Sequence, residues 1–335
     1  MATAAVKQKV QGLRISEFVV KALRCPKCRS PLSVTPDTVA CRSGSCIAIY
    51  PVVNGVPVLI NEERSVVSLS DFTGQKQTTF HRQPGLQRLF SRIVPELGVN
   101  RVAERNYRKL TELLTAQNAL PKVLVVGCGE TGRGMKAITA EAGIELINTD
   151  VWMGPYTEMV CDSHDLPFAD HSFDGVITQA VLEHVADPPR CTAEIHRVTK
   201  PGGLIYAETP FIQQVHGGPY DFTRYTHLGH RRLFRGYDEI ESGATSGSGT
   251  ALAWSYQYFL LSFVRSNGAR AAVKAFARLT SFWLRVFDHL ILETPGTLDA
   301  ASGYYFMGRK SEGMLTDREL IRLYRGAGAT LPASD

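Results

Sequence analysis

A glycine loop and two acidic residues are spaced in this chain to hold a nucleoside. The stretch from Val123 through Gly127, Gly129 and Gly132 reads as a strand, a glycine turn and a helix start. Glycines at those places let backbone approach a ligand where any Cβ would collide. Dinucleotide-binding folds share that loop, and in them an acid such as Asp150 grips a ribose diol. A second acid narrows the choice. Asp162, followed by Ser163, ends the next candidate strand, Thr157–Cys161, and is placed to accept a hydrogen bond from an adenine amino group.

Four further stretches follow in order: Leu166–Asp174 (LPFADHSFD), Gly175–Gln179 (GVITQ), Leu182–Val185 (LEHV) and Lys200–Leu204 (KPGGL). Over residues 120–240 the ordered set resembles the class I S-adenosylmethionine-dependent methyltransferases, in the branch acting on small molecules, lipids and sugars. The resemblance implies that Gly127, Gly129 and Gly132 border the methionine part of S-adenosyl-L-methionine. It likewise implies that Asp150 holds the ribose, that Asp162 and Ser163 lie at the adenine, and that Gln179 lies beside the sulfonium. One departure stands out. Many members of that family carry an acid two places before the first glycine, where this chain has Val125. Glu130, inside the loop, is the candidate substitute.

A second set of chemistry-bearing residues lies near the front. Cys25 and Cys28 are separated by twelve residues from Cys41 and Cys46. Paired cysteines on two tight turns supply the four thiolates of a tetrahedral, structural Zn2+ site, which leaves no open position for catalysis. Short alternating stretches at 47–50 and 56–60 read as strands. A piece this small has too little core to fold unaided, which suits a metal staple. With Pro31-Leu32 and Tyr50–Pro57 (YPVVNGVP), the segment resembles a small zinc-ribbon family that includes an activator subunit of some methyltransferases. Cys128, Cys161 and Cys191 fall on or beside core elements and read as small buried hydrophobes.

The elements that must position these groups follow from the apolar pattern. Strands near 122–126, 145–149, 157–161, 174–178 and 203–207 alternate with helical segments, implying an α/β, doubly wound, mostly parallel Rossmann-like sheet. The ligand is expected at its carboxyl ends. A helix over 102–116 puts Leu110, Leu113 and Leu114 on one side. The expected organisation is a ribbon-like module over 20–62, a linker and helices over 63–118, a methyltransferase domain over 119–310 and a tail over 311–335. Within it, 62–80 reads as linker and 240–250 as a flexible Gly- and Ser-rich turn. Residues 251–292 read as an inserted helical pair divided at Gly268, before a returning strand at 303–307. In that insertion Val273, Phe276, Trp283, Phe287 and Leu290 form an apolar stripe, with basic Arg270, Lys274, Arg278 and Arg285 beside it. Core packing is the favoured reading of the stripe, with a peripheral membrane contact as the alternative.

The chain has 335 residues, 44% of them apolar and 21% charged, and a net charge of +5. That is ordinary for a globular protein of one or two domains and does not demand nucleic acid. It lacks an 18-residue apolar run and a signal-peptide core, so an intracellular, cytoplasmic protein is expected. Seven cysteines, an odd number, fit a reducing compartment.

For the acceptor, His216, Tyr220, Asp221 and Arg224 lie in a polar cluster after the last parallel strand, and His184 follows the fourth. Methyl transfer needs a base only if the acceptor is a protonated, weak nucleophile. His184 and His216 are the candidate catalytic residues for that role. Tyr220, Asp221 and Arg224 are the candidate substrate contacts, Arg224 suiting a carboxylate or phosphate. The leading expectation is a methyltransferase for a small-molecule, sugar or lipid-linked acceptor. The alternatives are an RNA methyltransferase that grips nucleic acid through the ribbon, or a non-catalytic cofactor-binding scaffold. Oligomeric state is left open.

Overall fold

Eleven strands join into one sheet in the order β1-β2-β3-β4-β7-β6-β5-β8-β9-β11-β10. The computed structural model describes residues 9–73, 95–98, 100–129 and 132–329. The expected doubly wound α/β core is present. β5 (Lys122–Val126), β6 (Glu145–Asp150), β7 (Met159–Cys161), β8 (Phe173–Gln179) and β9 (Thr199–Pro210) are parallel. From β5 the chain winds outward through β6 and β7, then returns to place β8 and β9 on the other side. That reversal leaves a crevice at the strand carboxyl ends. β11 (Gly303–Lys310) comes back antiparallel between β9 and β10 (Tyr237–Ser246).

Helix α1 (Glu17–Ala22) precedes the cysteine module, and α2 (Ala103–Gln117) packs Tyr107, Leu110 and Leu114 against the sheet, with Leu113 only partly buried. The module itself is built from β1 (Leu32–Val34), β2 (Thr38–Cys41), β3 (Ile49–Val53) and β4 (Val56–Leu59). Asn54 and Gly55 both have positive φ and make the tight turn between β3 and β4, as an Asn-Gly pair does in two-residue hairpins. β4 then pairs parallel with β7, Val58 opposite Val160 and Leu59 opposite Cys161. The module therefore extends the main sheet. One apolar cluster runs from Ile15, Leu23 and Tyr50 through Leu59 to Ile147, Phe168 and Ile195, so the module's small core is completed by the larger one.

Three expectations change. Residues 62–73 are not a free linker: Val67 and Phe72 pack on Val58 and Val160, and the Phe72 ring lies 5.9 Å from that of Trp152. Residues 74–80 of that expected linker lie outside the described residues. The expected turn at 240–250 is instead the end of edge strand β10 and the start of α3 (Ser248–Leu261). Small residues are there because Gly243 faces the Tyr305 ring across the ladder, where a Cβ would sit 3.2 Å from it. The helical pair divides at 262–266, not at Gly268. Ser266 caps α4 (Asn267–Ser281), and Gly268 lies in its first turn.

Buried Asp288 holds the start of α3, accepting from the Gly247, Gly249 and Thr250 amides at 2.9–3.1 Å and from the Thr250 hydroxyl at 2.6 Å. The favoured reading of the apolar stripe as core fails: Phe276, Trp283, Phe287 and Leu290 are all exposed. No helix among the described residues is long and apolar enough to cross a membrane.

Candidate active site

A cavity of about 1400 Å³ opens at the carboxyl ends of β5 to β9. Gly127, at φ +78, takes the chain out of β5, and a Cβ on it would lie 2.3 Å from Val181. A Cβ on Gly132 would strike the Gln179 amide. Gly127 is therefore required by its backbone conformation and by Val181, whereas a side chain at Gly132 would have to displace the Gln179 amide. Glu130, the candidate substitute acid, lies outside the described residues.

Asp150 ends β6 with its side chain in the cavity wall. It accepts from Gly129 N at 2.7 Å and Trp152 N at 2.9 Å. Burial pushes its pKa up, against the pull of these amide donors. Asp162 follows β7. Its carboxylate accepts from the His164 amide at 2.9 Å and from the Ser65 hydroxyl at 2.5 Å, with the His164 ring also 2.5 Å away. Burial opposes its ionisation, but these hydrogen bonds outweigh burial and hold its pKa below the usual value. Ser163 lines the same wall and its hydroxyl lies 3.2 Å from the Cys191 thiol. Gln179 ends β8, receives the Tyr107 hydroxyl at 3.1 Å and donates to Glu208 at 2.7 Å.

Glu208, fully within the sheet at the end of β9, was not assigned a role from sequence. It also accepts from Tyr206 and, at 2.8 Å, from Asn100. Burial pushes its pKa up, countered by these three donors. Val125, two places before Gly127, is buried in the core beneath the cavity.

The acceptor end is built by the turn after β8 and the loop after β9. Ala180 turns the chain at φ +56. Glu183, missed in the sequence reading, is wholly buried, and its two carboxylate oxygens find no hydrogen-bond donor among the described residues. Desolvation pushes its pKa up to about 8. His184 and His216 face each other with ring centroids 4.9 Å apart. Both line the cavity, as does Tyr220.

Asp221 and Arg224 do not line it. They form an ion pair in which Asp221 also accepts from His216 N at 2.7 Å and Gly217 N at 3.1 Å, while Arg224 donates to the Gln213 and Gln214 carbonyls. The expected substrate contacts at these two residues are instead an internal brace that shapes the His216 loop. Only the fold reveals the difference, because a polar cluster in sequence does not say which groups satisfy one another.

The four front cysteines converge. The Cys25 and Cys46 sulfurs lie 3.9 Å apart, those of Cys28 and Cys41 3.4 Å, and all four fall within 4.8 Å of one another. The Tyr50 hydroxyl lies 3.3 Å from the Cys25 sulfur. Cys128, Cys161 and Cys191 are buried, as expected, and burial pushes each thiol up.

Residues 124–207, which carry the glycine turn at the first parallel strand and the acids at the next two, match the family model described as "Methyltransferase domain". Among curated relatives, the chain is 37% identical over 117 residues to a demethylmenaquinone methyltransferase of Renibacterium salmoninarum, covering 31% of this chain and 48% of that protein. It is 33% identical over 113 residues to the enzyme of that name from Symbiobacterium thermophilum, covering 32% and 41%. The chain thus spans about half the length of the curated relatives it matches or less. Among solved structures, phosphoethanolamine N-methyltransferase 2 of Haemonchus contortus with S-adenosyl-L-methionine aligns at a TM-score of 0.40 and 14% identity, over 62% of this chain and 53% of that one.

Proposed function

We propose that the protein transfers a methyl group from S-adenosyl-L-methionine to a small-molecule acceptor, with a quinone-type ring suggested by the two relatives. The observation that carries this reading is the single cavity joining Asp150, Asp162 and Gln179 to the His184–His216 pair. Asp150 holds the ribose hydroxyls, Asp162 and Ser163 border the adenine, and the glycine turn admits the methionine chain. Glu208, linked through Gln179 to Gly132, supplies at the methionine ammonium the carboxylate that Val125 cannot.

Bound S-adenosylmethionine supplies an electrophilic methyl carbon on a sulfonium. The chain's own task is to hold the acceptor atom close to and in line with that carbon, which can lower the barrier by about 7–11 kcal/mol. His184 and His216 line the end of the cavity assigned here to the acceptor.

Cys25, Cys28, Cys41 and Cys46 hold a structural zinc ion. Tetrahedral Zn–S bonds of about 2.3 Å place sulfurs about 3.8 Å apart, in line with the separations of 3.4 and 3.9 Å. The ribbon offers little to RNA. Arg29 pairs with Glu194, Lys27 with Glu63, and Arg24 donates to backbone carbonyls.

Calorimetric titration with S-adenosylmethionine, S-adenosylhomocysteine and NAD tests the reading. Binding of the first two, absent in Asp150→Ala, is expected. Binding of NAD alone, or of none, overturns it.

A further inference from the structure

Glu183 is a buried acid whose side-chain oxygens meet no hydrogen-bond donor among the described residues, so burial favours its neutral form unless a cation faces it. Two imidazoles do face it. The Nε2 atoms of His184 and His216 lie 3.7 and 3.8 Å from the same oxygen, Oε1. Those separations are too long for hydrogen bonds. They are close to the spacing of about 3.0–3.5 Å that donors take around a metal at bond lengths near 2.1 Å.

The second ring nitrogens are already committed. His184 Nδ1 lies 2.8 Å from the Tyr220 carbonyl, and His216 Nδ1 lies 3.2 Å from that of Gln214. The Asp221 carboxylate, 3.5 Å from His216 Nδ1, adds a second acceptor against the one donor there, Arg224 at 3.4 Å. A proton on each Nδ1 leaves both Nε2 lone pairs turned to one point, the outer arrangement usual for metal-binding histidines. The Phe222 and Thr223 amides donate to the Glu183 main-chain carbonyl, which ties the backbone of Glu183 to the loop that carries His216.

We propose that Glu183, His184 and His216 bind a first-row divalent metal ion at the acceptor end of the cavity, and that its open positions take a hydroxyl oxygen of the acceptor. Two imidazoles and one carboxylate suit Mn2+, Fe2+, Co2+ or Zn2+ better than Mg2+ or Ca2+. The ion site stands on its own geometry, while its use in catalysis rests on the methyltransferase reading. On coordination the hydroxyl proton leaves to solvent water, as metals promote. The oxyanion's electron pair then forms the bond to the methyl carbon, the carbon–sulfur bond breaks, and its pair stays on sulfur.

The test is Mn2+ titration of protein whose cysteine cluster is already zinc-loaded, reading free Mn2+ by its electron paramagnetic resonance signal. One Mn2+ per chain is expected, with affinity at least tenfold lower in Glu183→Gln and in His216→Gln. Calorimetric S-adenosylmethionine binding by the same variants checks that they are folded. Absence of Mn2+, Co2+ and Zn2+ binding beyond the ribbon's equivalent overturns the ion site. Mn2+ binding without S-adenosylmethionine binding keeps the site and overturns the methyltransferase reading instead.

A different part of the molecule carries a second inference. From Ser242 to Phe287 the chain has no Asp or Glu, but it has Arg265, Arg270, Lys274, Arg278 and Arg285. None of these cations forms an ion pair among the described residues: Arg270 donates to the Leu261 and Val264 carbonyls, and Arg278 to Gln257. On the same elements Phe259, Phe263, Phe276, Trp283, Phe287 and Leu290 are each half exposed or more. Cations without acids, interleaved with exposed aromatic rings, complement an anionic bilayer surface, whereas the core of a protein interface is depleted of charge.

We infer that this helical insertion docks on anionic lipid. Its helix α3 also sends Thr250 and Trp254 to the cavity wall.

Sedimentation with phosphatidylcholine vesicles, with and without phosphatidylglycerol, tests this. Binding to the anionic vesicles only is expected, weakened at least tenfold in Lys274→Glu with Phe276→Ser, whose side chains are on the surface. No vesicle binding, or a dimer in solution that the same substitutions dissolve, overturns it.

Discussion

Ser65 donates its hydroxyl to the carboxylate of Asp162 at 2.5 Å. That bond ties the segment leaving the cysteine module to an acid in the cavity wall, the one proposed to meet the adenine. Beside it, Val66, Val67 and Phe72 form part of the cavity wall. The module is therefore coupled to the cofactor pocket through a strap of about a dozen residues.

Ser65→Ala removes one of the donors that hold the Asp162 carboxylate ionised and oriented. A hydrogen bond to a charged group is worth about 1.5–3 kcal/mol, so S-adenosylmethionine affinity should fall by about tenfold or more. Calorimetry reads the change. An unaltered affinity would show that the strap only covers the pocket.

Loss of a cysteine ligand should be felt by the whole sheet. β4 pairs with β7, and the module shares its buried cluster with the main core. Cys28→Ser, or chelation of the zinc ion proposed there, is expected to lower the melting temperature in one transition and to weaken S-adenosylmethionine binding with it. Two separate transitions in differential scanning calorimetry would contradict this coupling.

The parallel strands, the glycine turn, Asp150, Asp162 and the paired cysteines were legible because each is a local pattern with a local cause. Gly127 is glycine because its own φ and Val181 demand it, and such demands leave a trace in sequence. Other features depend on distant partners. β10 reads as a turn until Tyr305 is placed across from Gly243. Asp221 and Arg224 read as substrate contacts until they are seen to satisfy each other. Glu183 draws no role of its own within the stretch Leu182–Val185, and only its burial beside two imidazoles marks it. The stripe at 276–290 has the spacing of a core face, and nothing local says that the core ends short of it.

Two buried histidines set an acid limit on stability. Burial pushes the His227 pKa down to about 4, with Arg325 and Arg231 adding to it and Glu239 opposing. Burial together with His227 and Arg231 takes His230 down to about 3. Both are neutral when folded, whereas unfolded histidine takes up a proton near pH 6.5. Below that pH the unfolded state binds more protons, so stability falls as pH drops from about 6.5 towards 3. One pKa unit corresponds to about 1.4 kcal/mol, so the combined loss is on the order of several kcal/mol. Urea unfolding at stepped pH checks this. His230→Leu, which keeps an apolar contact with Phe234, should flatten the acid limb, and an unchanged slope would remove His230 from the account.

The position of Glu208 gives the sharpest test of how the cofactor is held. The glycine loop has Val125 where related loops carry an acid, and Val125 is buried in the core rather than turned to the cavity. Glu208 lies in the cavity wall at the end of β9, with Tyr206, Gln179 and Asn100 holding its carboxylate. Gln179 touches the place where a Gly132 side chain would be, so the carboxylate lies on the glycine-loop side of the cavity, the side proposed for the methionine chain. Placing an ammonium beside it restores full ionisation against the burial that pushes its pKa up. Glu208→Gln keeps the shape and removes the charge. S-adenosylmethionine and S-adenosylhomocysteine, which both carry the ammonium, should then bind about 10–100-fold more weakly, as for loss of a buried charge-assisted hydrogen bond. Methylthioadenosine, which lacks it, should bind as before. Equal weakening of all three ligands would mean that Glu208 shapes the cavity without contacting the methionine ammonium.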